Sequence, residues 1–585
     1  MTASSFILST QDIINNLESL RQFMSRVKVD LFYISSFDPY LNEYTPLSNS
    51  HRYYFSGFTG STSEMLIPVE GKALLFVDGR YHEQADLEVD HEYIEVRKCP
   101  QTIPPTMAMM EELIKQKENK VLTLGIEGDR CARGLELQFL AQHNVKFFDR
   151  QELASVVSFK GYQSDHPIYA VNDSLCGQTP RQKMEGLLKP GEAFYVSALD
   201  SIAWASNCRG FQLPWQSTFM ARAIGLVDHL YVFVEPGAVF DPSANQKDGV
   251  IFECISYGEL ESRWQELGRE NNIKKISYDP DMINGADFRL LERIFKERLV
   301  ECKGGITLCH SVKNKKEIQV MTKDYNKANL AIYKTLSWVK DEMRKKKRIT
   351  ERDVYQKTTE CFKKTGAVEQ SFNTISAVGA HSSIMHFSKP EENLVIKPGT
   401  FVLLDCGGLY QTGMATDTTR TILAPGKKAI SLQKEIYTLV LKGLLQAQNA
   451  IFTETTRGSD IDALARAAMF KKGYNYNHGT GHGIGINVHE GGIRLSPQSN
   501  TILRVGQTLS IEPGIYIPGF GGVRLENVVV VKKHPQFKKF LCFEPLVYIG
   551  FWPDLIDYKM LNSDELVYLR DYEKECKKRK TSFGK

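Results

Sequence analysis

Two related α/β domains followed by a larger α+β domain are what this sequence predicts, on three observations. Its 585 residues are too many for one hydrophobic core, because cores stop growing at about 250–300 residues and longer chains divide. Short motifs in the first quarter of the chain recur in the second, in the same helix–strand surroundings. The last part, from about residue 313, sets histidines and carboxylates on a framework of apolar strands. Apolar residues make up 42%, charged residues 24% and aromatic residues 10%, a globular balance that excludes disordered, collagen-like and coiled-coil chains. A net charge of +4, from 73 basic and 69 acidic side chains, gives no electrostatic footprint for a nucleic acid or a membrane surface as main partner.

The elements follow in order. Ile13, Leu17, Leu20 and Met24 share one face of an opening helix, and Leu31-Phe-Tyr-Ile34 reads as the strand after it. Tyr33-Ile-Ser-Ser-Phe-Asp38 is echoed by Tyr195-Val-Ser-Ala-Leu-Asp200, and Gly57-Phe58 by Gly210-Phe211. Ala73-Leu-Leu-Phe-Val77 and Leu230-Tyr-Val-Phe-Val234 are further strands. Alternating helix and strand predicts α/β domains over 1–155 and 156–312, leaving 313–585 as a third domain. There Ile318, Met321, Tyr325, Ala328, Ile332, Leu336, Val339 and Met343 place an apolar stripe on a long helix. It ends in Arg344-Lys-Lys-Lys-Arg348, read as a solvated helix end whose cations suit the negative pole of the helix dipole. Thr350 and Asp353 form a capping box. Ser431 is expected to cap a helix running to about Ile451, and Ser459 with Asp462 another that stops at Gly473. Strands are expected over 401–404, 418–423, 508–516 and 523–531.

Eleven cysteines without a Cys-x-x-Cys pair imply reduced thiols, not a disulfide framework. The N-terminus lacks a basic-then-apolar leader, and no run of 18 apolar residues could span a membrane. A soluble cytoplasmic protein with no membrane partner is expected.

Five of the 13 histidines fall between His381 and His489. In the same domain Asp405 ends the strand Phe-Val-Leu-Leu, and Asp417 opens Thr-Thr-Arg-Thr-Ile. Glu512 interrupts Leu-Ser-Ile-Glu-Pro-Gly, and Glu526 interrupts Val-Arg-Leu-Glu-Asn-Val. A carboxylate inside an apolar strand is costly unless something neutralises it. A single one reads as a paired structural charge; four of them beside a glycine-flanked His482 point to metal. Four carboxylates and one neutral imidazole match two divalent cations, and an oxygen-rich set with one nitrogen suits manganese, cobalt or zinc. Two such ions, roughly 3.5–4 Å apart, would lower the pKa of a bridging water and supply a nucleophile near neutral pH. Gly479-Thr-Gly-His-Gly-Ile-Gly485 lacks the Lys-Ser/Thr of a phosphate loop, so its glycines are read as permitting close backbone approach.

Taken in order, Asp405, Asp417-Thr-Thr-Arg, Gly-Thr-Gly-His482-Gly, Val-His489-Glu-Gly, Ile-Glu512-Pro-Gly and Arg-Leu-Glu526-Asn resemble the signature of the M24 pita-bread metallopeptidases. Over nearly its whole length the chain resembles the cytosolic three-domain Xaa-Pro aminopeptidases (aminopeptidase P) of that family. Phe55-Ser-Gly-Phe-Thr-Gly-Ser61 and Val77-Asp-Gly-Arg-Tyr81 are similar to their first domain. Trp204 and Arg209-Gly210 are similar to the second, and Phe543-Glu-Pro-Leu546 to the C-terminal segment.

The resemblance implies two creatinase-like α/β domains, 1–155 and 156–312, before a pita-bread (creatinase/aminopeptidase) catalytic domain, 313–585. It implies metal-dependent release of the N-terminal residue from peptides with proline in second position, by attack of a metal-bridging hydroxide on the scissile carbonyl. Asp405 is then a ligand of one ion, His482 and Glu512 of the other, and Asp417 and Glu526 of both, with Mn2+ the best-suited ion. His386 would orient substrate, and His489 would donate to the scissile oxygen or the oxyanion. Glu512 would double as proton shuttle to the proline nitrogen, and Arg80 would bind substrate. A homodimer is implied as well. Arg524, two residues before Glu526, is read as sharing its strand face and biasing that carboxylate; His381 and His478 receive no role.

The chain departs from the family pattern in three places. The Asp405–Asp417 turn is one residue longer, the His482–His489 loop is shorter, and Phe-Ser-Lys-Pro follows His386 where the family has Tyr before a small residue. These bear on pocket shape and the preferred first residue. A prolidase-type Xaa-Pro dipeptidase shares the ligands and remains an alternative. So does a non-catalytic pita-bread binding protein, which loss of ligands would mark.

Overall fold

The Tyr33 and Tyr195 echo begins on equivalent strands. The structure is a computed structural model describing residues 6–117 and 121–584, and it divides into two units, Met1–Ile306 and Thr307–Lys585. The first unit holds two six-stranded sheets. One comprises β1 (Leu31–Ser35), β2 (Glu64–Pro68), β3 (Ala73–Val77), β4 (Ile94–Lys98), β5 (Thr123–Glu127) and β6 (Asn144–Phe148), in the order β4-β3-β2-β1-β5-β6. The other comprises β7 (Glu192–Val196), β8 (Arg222–Gly225), β9 (Leu230–Val234), β10 (Val250–Cys254), β11 (Lys275–Tyr278) and β12 (Leu299–Glu301), in the order β10-β9-β8-β7-β11-β12. The two orders superimpose strand for strand, so Tyr33 and Tyr195 occupy the same central strand of each copy.

β1 is buried along its whole length. Phe32 and Ile34 pack with Leu17, Leu20 and Met24 of the opening helix Thr10–Val27, and Leu31 and Tyr33 pack into a second cluster with Met109 and Leu113. The Gly57–Gly210 echo is only approximate. Gly57 ends helix His51–Ser56 at φ 69°, whereas the equivalent helix, Leu199–Ser206, ends on Asn207 at φ 53°. Asparagine is the other residue that tolerates this left-handed cap, and Gly210 lies beyond it.

In the second unit, helix Lys315–Arg344 buries Met321, Tyr325, Ala328, Ile332, Leu336 and Val339, the centre of the predicted stripe. Its basic end is solvated, with Lys345 and Lys347 paired to Glu342. Thr350 and Asp353 cap each other at helix Glu351–Lys364 as expected. The two later helices begin one and two residues before their expected starts. Ser431–Gln448 is capped at Ile430, whose N–H donates to the Gln433 side chain, and it closes on Asn449, short of Ile451. Gly458–Phe470 is capped at Arg457, whose N–H donates to Asp460. Ser459 is therefore inside the helix, and Asp462 is drawn instead to Arg466 and Thr480.

The described strands of this unit form four groups, the smallest a short pair of Glu369–Gln370 with Gly408–Leu409. β13 (Ile375–Val378), β14 (Phe401–Cys406) and β15 (Thr418–Leu423) make an antiparallel sheet in that order. A six-stranded sheet uses β16 (Phe452–Thr453), β17 (Gly481–Gly483), β18 (Glu490–Leu495), β19 (Thr508–Ile511), β22 (Asn527–Lys533) and β23 (Phe540–Pro545), in the order β16-β23-β22-β19-β17-β18; β20 (Gly514–Ile517) and β21 (Gly521–Arg524) pair as a ribbon. The expected strands 508–516 and 523–531 are thus each split in two. Their register nevertheless runs straight through the break: Ile511 pairs with Asn527 and Gly514 with Arg524. Glu512 therefore lies opposite Glu526 at the interruption. Pro513 has no N–H for a ladder, and the buried Arg420 guanidinium takes the Glu526 carbonyl at 2.5 Å and the Asn527 side chain at 2.7 Å.

All eleven cysteines are free thiols. Among the described residues, no helix is long and apolar enough to cross a membrane.

Candidate metal centre

Two hairpins and one glycine-lined strand bring the acidic residues together. On β14, Asp405 pairs with Thr419 of β15. Asp417 precedes Thr419 by two residues, so strand alternation puts Asp405 and Asp417 on one face. Thr419 ties this hairpin to the broken one. Its carbonyl accepts the Glu526 N–H at 3.1 Å, and its hydroxyl donates to Glu526 Oε2 at 2.8 Å while accepting from Arg524 Nε at 3.1 Å. His482 comes from β17, where its N–H donates to Ser510 Oγ at 3.1 Å and the Glu512 N–H donates to the Thr480 carbonyl at 2.7 Å. A Cβ at Gly481 would stand 1.9 Å from the Ser510 carbonyl oxygen. That position must be glycine for β17 to lie against β19.

His482 Nε2 consequently lies 3.5 Å from Asp417 Oδ2 and 3.5 Å from Glu512 Oε1. One donor atom each from Asp417, His482 and Glu526 falls within 4.8 Å of the others. The other ring nitrogen, Nδ1, is 3.0 Å from the Gly483 carbonyl oxygen, which can only accept. The proton thus sits on Nδ1, and Nε2 presents its lone pair to the carboxylates.

Burial, then the neighbouring Glu526, Asp405 and Glu512, pushes Asp417 well above the usual carboxylate range. Burial, then Glu512 and Asp405, does the same to Glu526. Arg524 offsets part of this charge. Asp405 Oδ1 and Glu526 Oε1 are buried without a hydrogen-bond donor, a costly condition for carboxylate oxygens in protein alone. Hard oxygen donors, one neutral imidazole and undonated buried oxygens together fit divalent cations.

Arg524 lowers the Glu526 carboxyl against the effect of burial, as the sequence suggested, but its direct contacts lie elsewhere. It ends β21 and Glu526 lies past the break, so no continuous strand face joins them. Its guanidinium reaches Asp405 Oδ2 at 2.5 Å, Tyr516 OH at 2.9 Å and the Met385 carbonyl, next to His386, at 3.2 Å. Tyr516 OH in turn donates to His478 Nε2 at 2.9 Å, since His478 Nδ1 already donates to the Gly479 carbonyl at 2.7 Å. Burial pushes the Tyr516 phenol up to about 12, so it stays a donor. His478 and Tyr516 thus belong to the surroundings of Asp405. The available signal was spacing: each stands four residues from a ligand candidate, His482 or Glu512. His381 is structural, with Nδ1 3.1 Å from both oxygens of the buried Glu351 and its ring against Phe387.

The His489 ring stands edge to face on His482, centroids 4.3 Å apart. His386 sits in the turn after the short helix Gly379–Ser383. Arg80 belongs to the N-terminal unit, where Asp78, Thr62 and Glu43 hold its guanidinium.

Residues 321–533 match the Metallopeptidase family M24, and residues 16–156 and 161–317 each match a Creatinase/Prolidase N-terminal domain. The chain is 31% identical to Xaa-Pro aminopeptidase 1 of Dictyostelium discoideum, over 96% of this chain and 92% of that one. It is 30% identical to a probable Xaa-Pro aminopeptidase P of Fusarium vanettenii, over 96% and 94%. It is also similar to the crystal structure of the X-prolyl aminopeptidase of Caenorhabditis elegans, described as a cytosolic enzyme with a di-nuclear active site. That similarity has a TM-score of 0.88 at 25% identity, covering 97% of this chain and 96% of that one. A Xaa-Pro dipeptidase from Bacillus anthracis shares the fold over 64% of this chain, with a TM-score of 0.53 at 24% identity. Identity at this level along the full length, together with both N-terminal matches and the M24 match, shows that the chain belongs to the Xaa-Pro aminopeptidase P family, metallo-exopeptidases with two creatinase-type domains before a pita-bread domain.

Proposed function

We propose that this chain releases the N-terminal residue from peptides whose second residue is proline, with two divalent metal ions held by Asp405, Asp417, His482, Glu512 and Glu526. The observation that carries this reading is the pair of buried, undonated oxygens, Asp405 Oδ1 and Glu526 Oε1, inside a group of mutually repelling acids. Asp405 would serve one ion, His482 and Glu512 the other, and Asp417 and Glu526 both. Mn2+ is the ion we assign, because the donors are mostly carboxylate. Bound there, the ions supply Lewis acidity and bring the ionisation of water near neutral pH.

The other tasks fall to side chains. Hydrolysis places a water oxygen on the carbonyl carbon and a proton on the proline nitrogen, which cannot leave as an anion. Glu512, with its side chain 19% exposed against 7% for Asp417 and 11% for Asp405, is the most open carboxylate and carries that proton. His489 donates to the scissile oxygen as charge develops there. His386 orients the peptide, and Arg80 is assigned to substrate binding on resemblance to the family. The domains we assign are 1–155 and 156–312, creatinase-like, and 313–585, catalytic. We read the enzyme as a cytoplasmic homodimer; the cytosolic description of the C. elegans enzyme supports the location.

The test is an assay of Mn2+-loaded protein on an Xaa-Pro dipeptide, an Xaa-Pro-Yaa tripeptide and a Met-initiated peptide without proline. Release of Xaa from the tripeptide is expected, lost on chelation and restored best by Mn2+. Cleavage of the dipeptide alone would mark a prolidase, and full activity of metal-free protein would end the dinuclear reading.

A further inference from the structure

Helix Gly458–Phe470 carries a buried charge pair that the catalytic reading leaves unused. Asp462 and Arg466, one turn apart, are each 2% exposed, and Arg466 Nε lies 3.0 and 2.9 Å from the two Asp462 oxygens. A buried ion pair is weak evidence of stabilisation, because desolvation offsets most of the attraction. The remaining contacts show what it does instead. Arg466 Nη1 donates to Asn475 Oδ1 at 2.7 Å and to the Tyr476 carbonyl at 2.8 Å, and Nη2 donates to the His478 carbonyl at 2.7 Å. The guanidinium lies 3.7 Å from the centre of the Tyr476 ring. Asp462 Oδ1 accepts from the Thr480 hydroxyl at 2.6 Å.

The pair therefore grips the segment 475–480 that runs directly into His482. Thr480 passes the constraint on, since its carbonyl accepts the Glu512 N–H at 2.7 Å. One buried pair thus sets the backbone on both sides of the His482–Glu512 approach. Gly479 and Gly481 flank Thr480, and glycines leave a chain many conformations unless something fixes it. Asp405 is held separately, by Arg524 at 2.5 Å.

We infer that Asp462 and Arg466 are positioning residues for the ion served by His482 and Glu512, an inference that rests on the ligand assignment proposed above. Partners of this kind orient ligands without touching the ion, and their loss typically lowers metal affinity about 10–100-fold. Because Asp405 is anchored independently, the two ions should respond unequally.

The experiment uses the full chain. Wild type, Asp462→Leu/Arg466→Met and Thr480→Val are stripped of metal and dialysed to equilibrium against a series of free Mn2+ concentrations. Bound Mn2+ per chain and the Tm of the stripped proteins are then measured. The double substitution removes both charges and leaves neither buried alone; Thr480→Val removes the hydroxyl that donates to Asp462 and accepts from the Tyr476 hydroxyl, and leaves the charge pair in place. Expected are two ions in wild type. In the double variant, one ion should bind with unchanged affinity and the other at least ~10-fold more weakly, with Thr480→Val intermediate. Two ions at wild-type affinity in the folded double variant would reduce the pair to a structural role, and equal weakening of both ions would also overturn the inference. If the double variant does not fold, Thr480→Val decides: weakening of one ion alone supports the inference, and two ions at wild-type affinity overturn it. Fewer than two ions in wild type would remove the dinuclear reading, and this inference with it.

Discussion

His482 and His489 touch edge to face, yet the two residues are assigned opposite tasks. His482 offers a lone pair 3.5 Å from two carboxylates, with its tautomer held by the Gly483 carbonyl; His489 is assigned as a donor to substrate. His489→Ala should keep both ions and the fold while turnover drops about 10²–10³-fold, the usual size for losing one preorganised donor. His482→Ala should lose one ion and regain part of its activity at high Mn2+. Metal content, Tm and turnover measured on both variants separate the roles, and near-normal turnover in folded His489→Ala would refute its assignment. At this scale the acids were legible because a carboxylate in an apolar strand is chemically out of place. The partner of Arg524 was not, because sequence adjacency to Glu526 says nothing about Asp405 across the neighbouring hairpin.

At the scale of elements, the loop between His482 and His489 is pinned by the first residue of β18. Glu490 is buried, with Lys313 Nζ on one oxygen and His310 Nδ1 3.1 Å from the other. It also accepts the Ile486 N–H at 3.4 Å. Gly485 makes room for it, since a Cβ there would stand 2.0 Å from Glu490 Oε1. The close approach expected of these glycines is thus realised at Gly481 and Gly485, against protein atoms. Burial alone would raise the Glu490 carboxyl, but Lys313 and His310 outweigh it and hold the group at about 2. A depressed carboxyl stabilises the fold above its unfolded pKa of 4.5 and loses that contribution as pH falls toward 2. Acid unfolding of wild type should therefore steepen below about pH 4.5, by up to about 3 kcal/mol in all, and Glu490→Gln should lack that part of the slope. Equal slopes in the two proteins would show that the pairing does not contribute. The helix starts belong to this scale too: Ser431 and Ser459 were the expected caps, but the caps lie one and two residues earlier, at Ile430 and Arg457, whose N–H groups are taken by the Gln433 and Asp460 side chains.

For the whole catalytic unit, the metal centre joins parts distant in sequence: β14 and β15, β17, and the break in the β19–β22 ladder. Ions bound there would hold these pieces together and offset the burial and mutual repulsion that push the Asp417 and Glu526 pKa values up. Stripped protein should unfold at lower temperature, and added Mn2+ should raise Tm with concentration, by about 2.7 kcal/mol of stability at 100 times the dissociation constant. Calorimetry across a Mn2+ series checks this, and a Tm indifferent to metal would contradict the assigned ligands.

The sequence by itself determined the fold class and the donor types. The Tyr33 and Tyr195 echo marked two copies of one α/β pattern, and both motifs begin on the central strand of matching sheets. The stripe from Met321 to Val339 became a buried helix face, and the carboxylates broke an apolar pattern that could be read residue by residue. All of these are local regularities, set by helix and strand periods. Tertiary structure decided which strands pair and where a ladder stops. It therefore decided that Glu512 faces Glu526, that Arg524 holds Asp405, that His478 and Tyr516 stand behind it, and that Asp462 turns from an expected cap into a clamp on Thr480. Those relations depend on register between segments as much as 119 residues apart, and a side-chain period of two or 3.6 residues carries no information about which distant segment lies alongside.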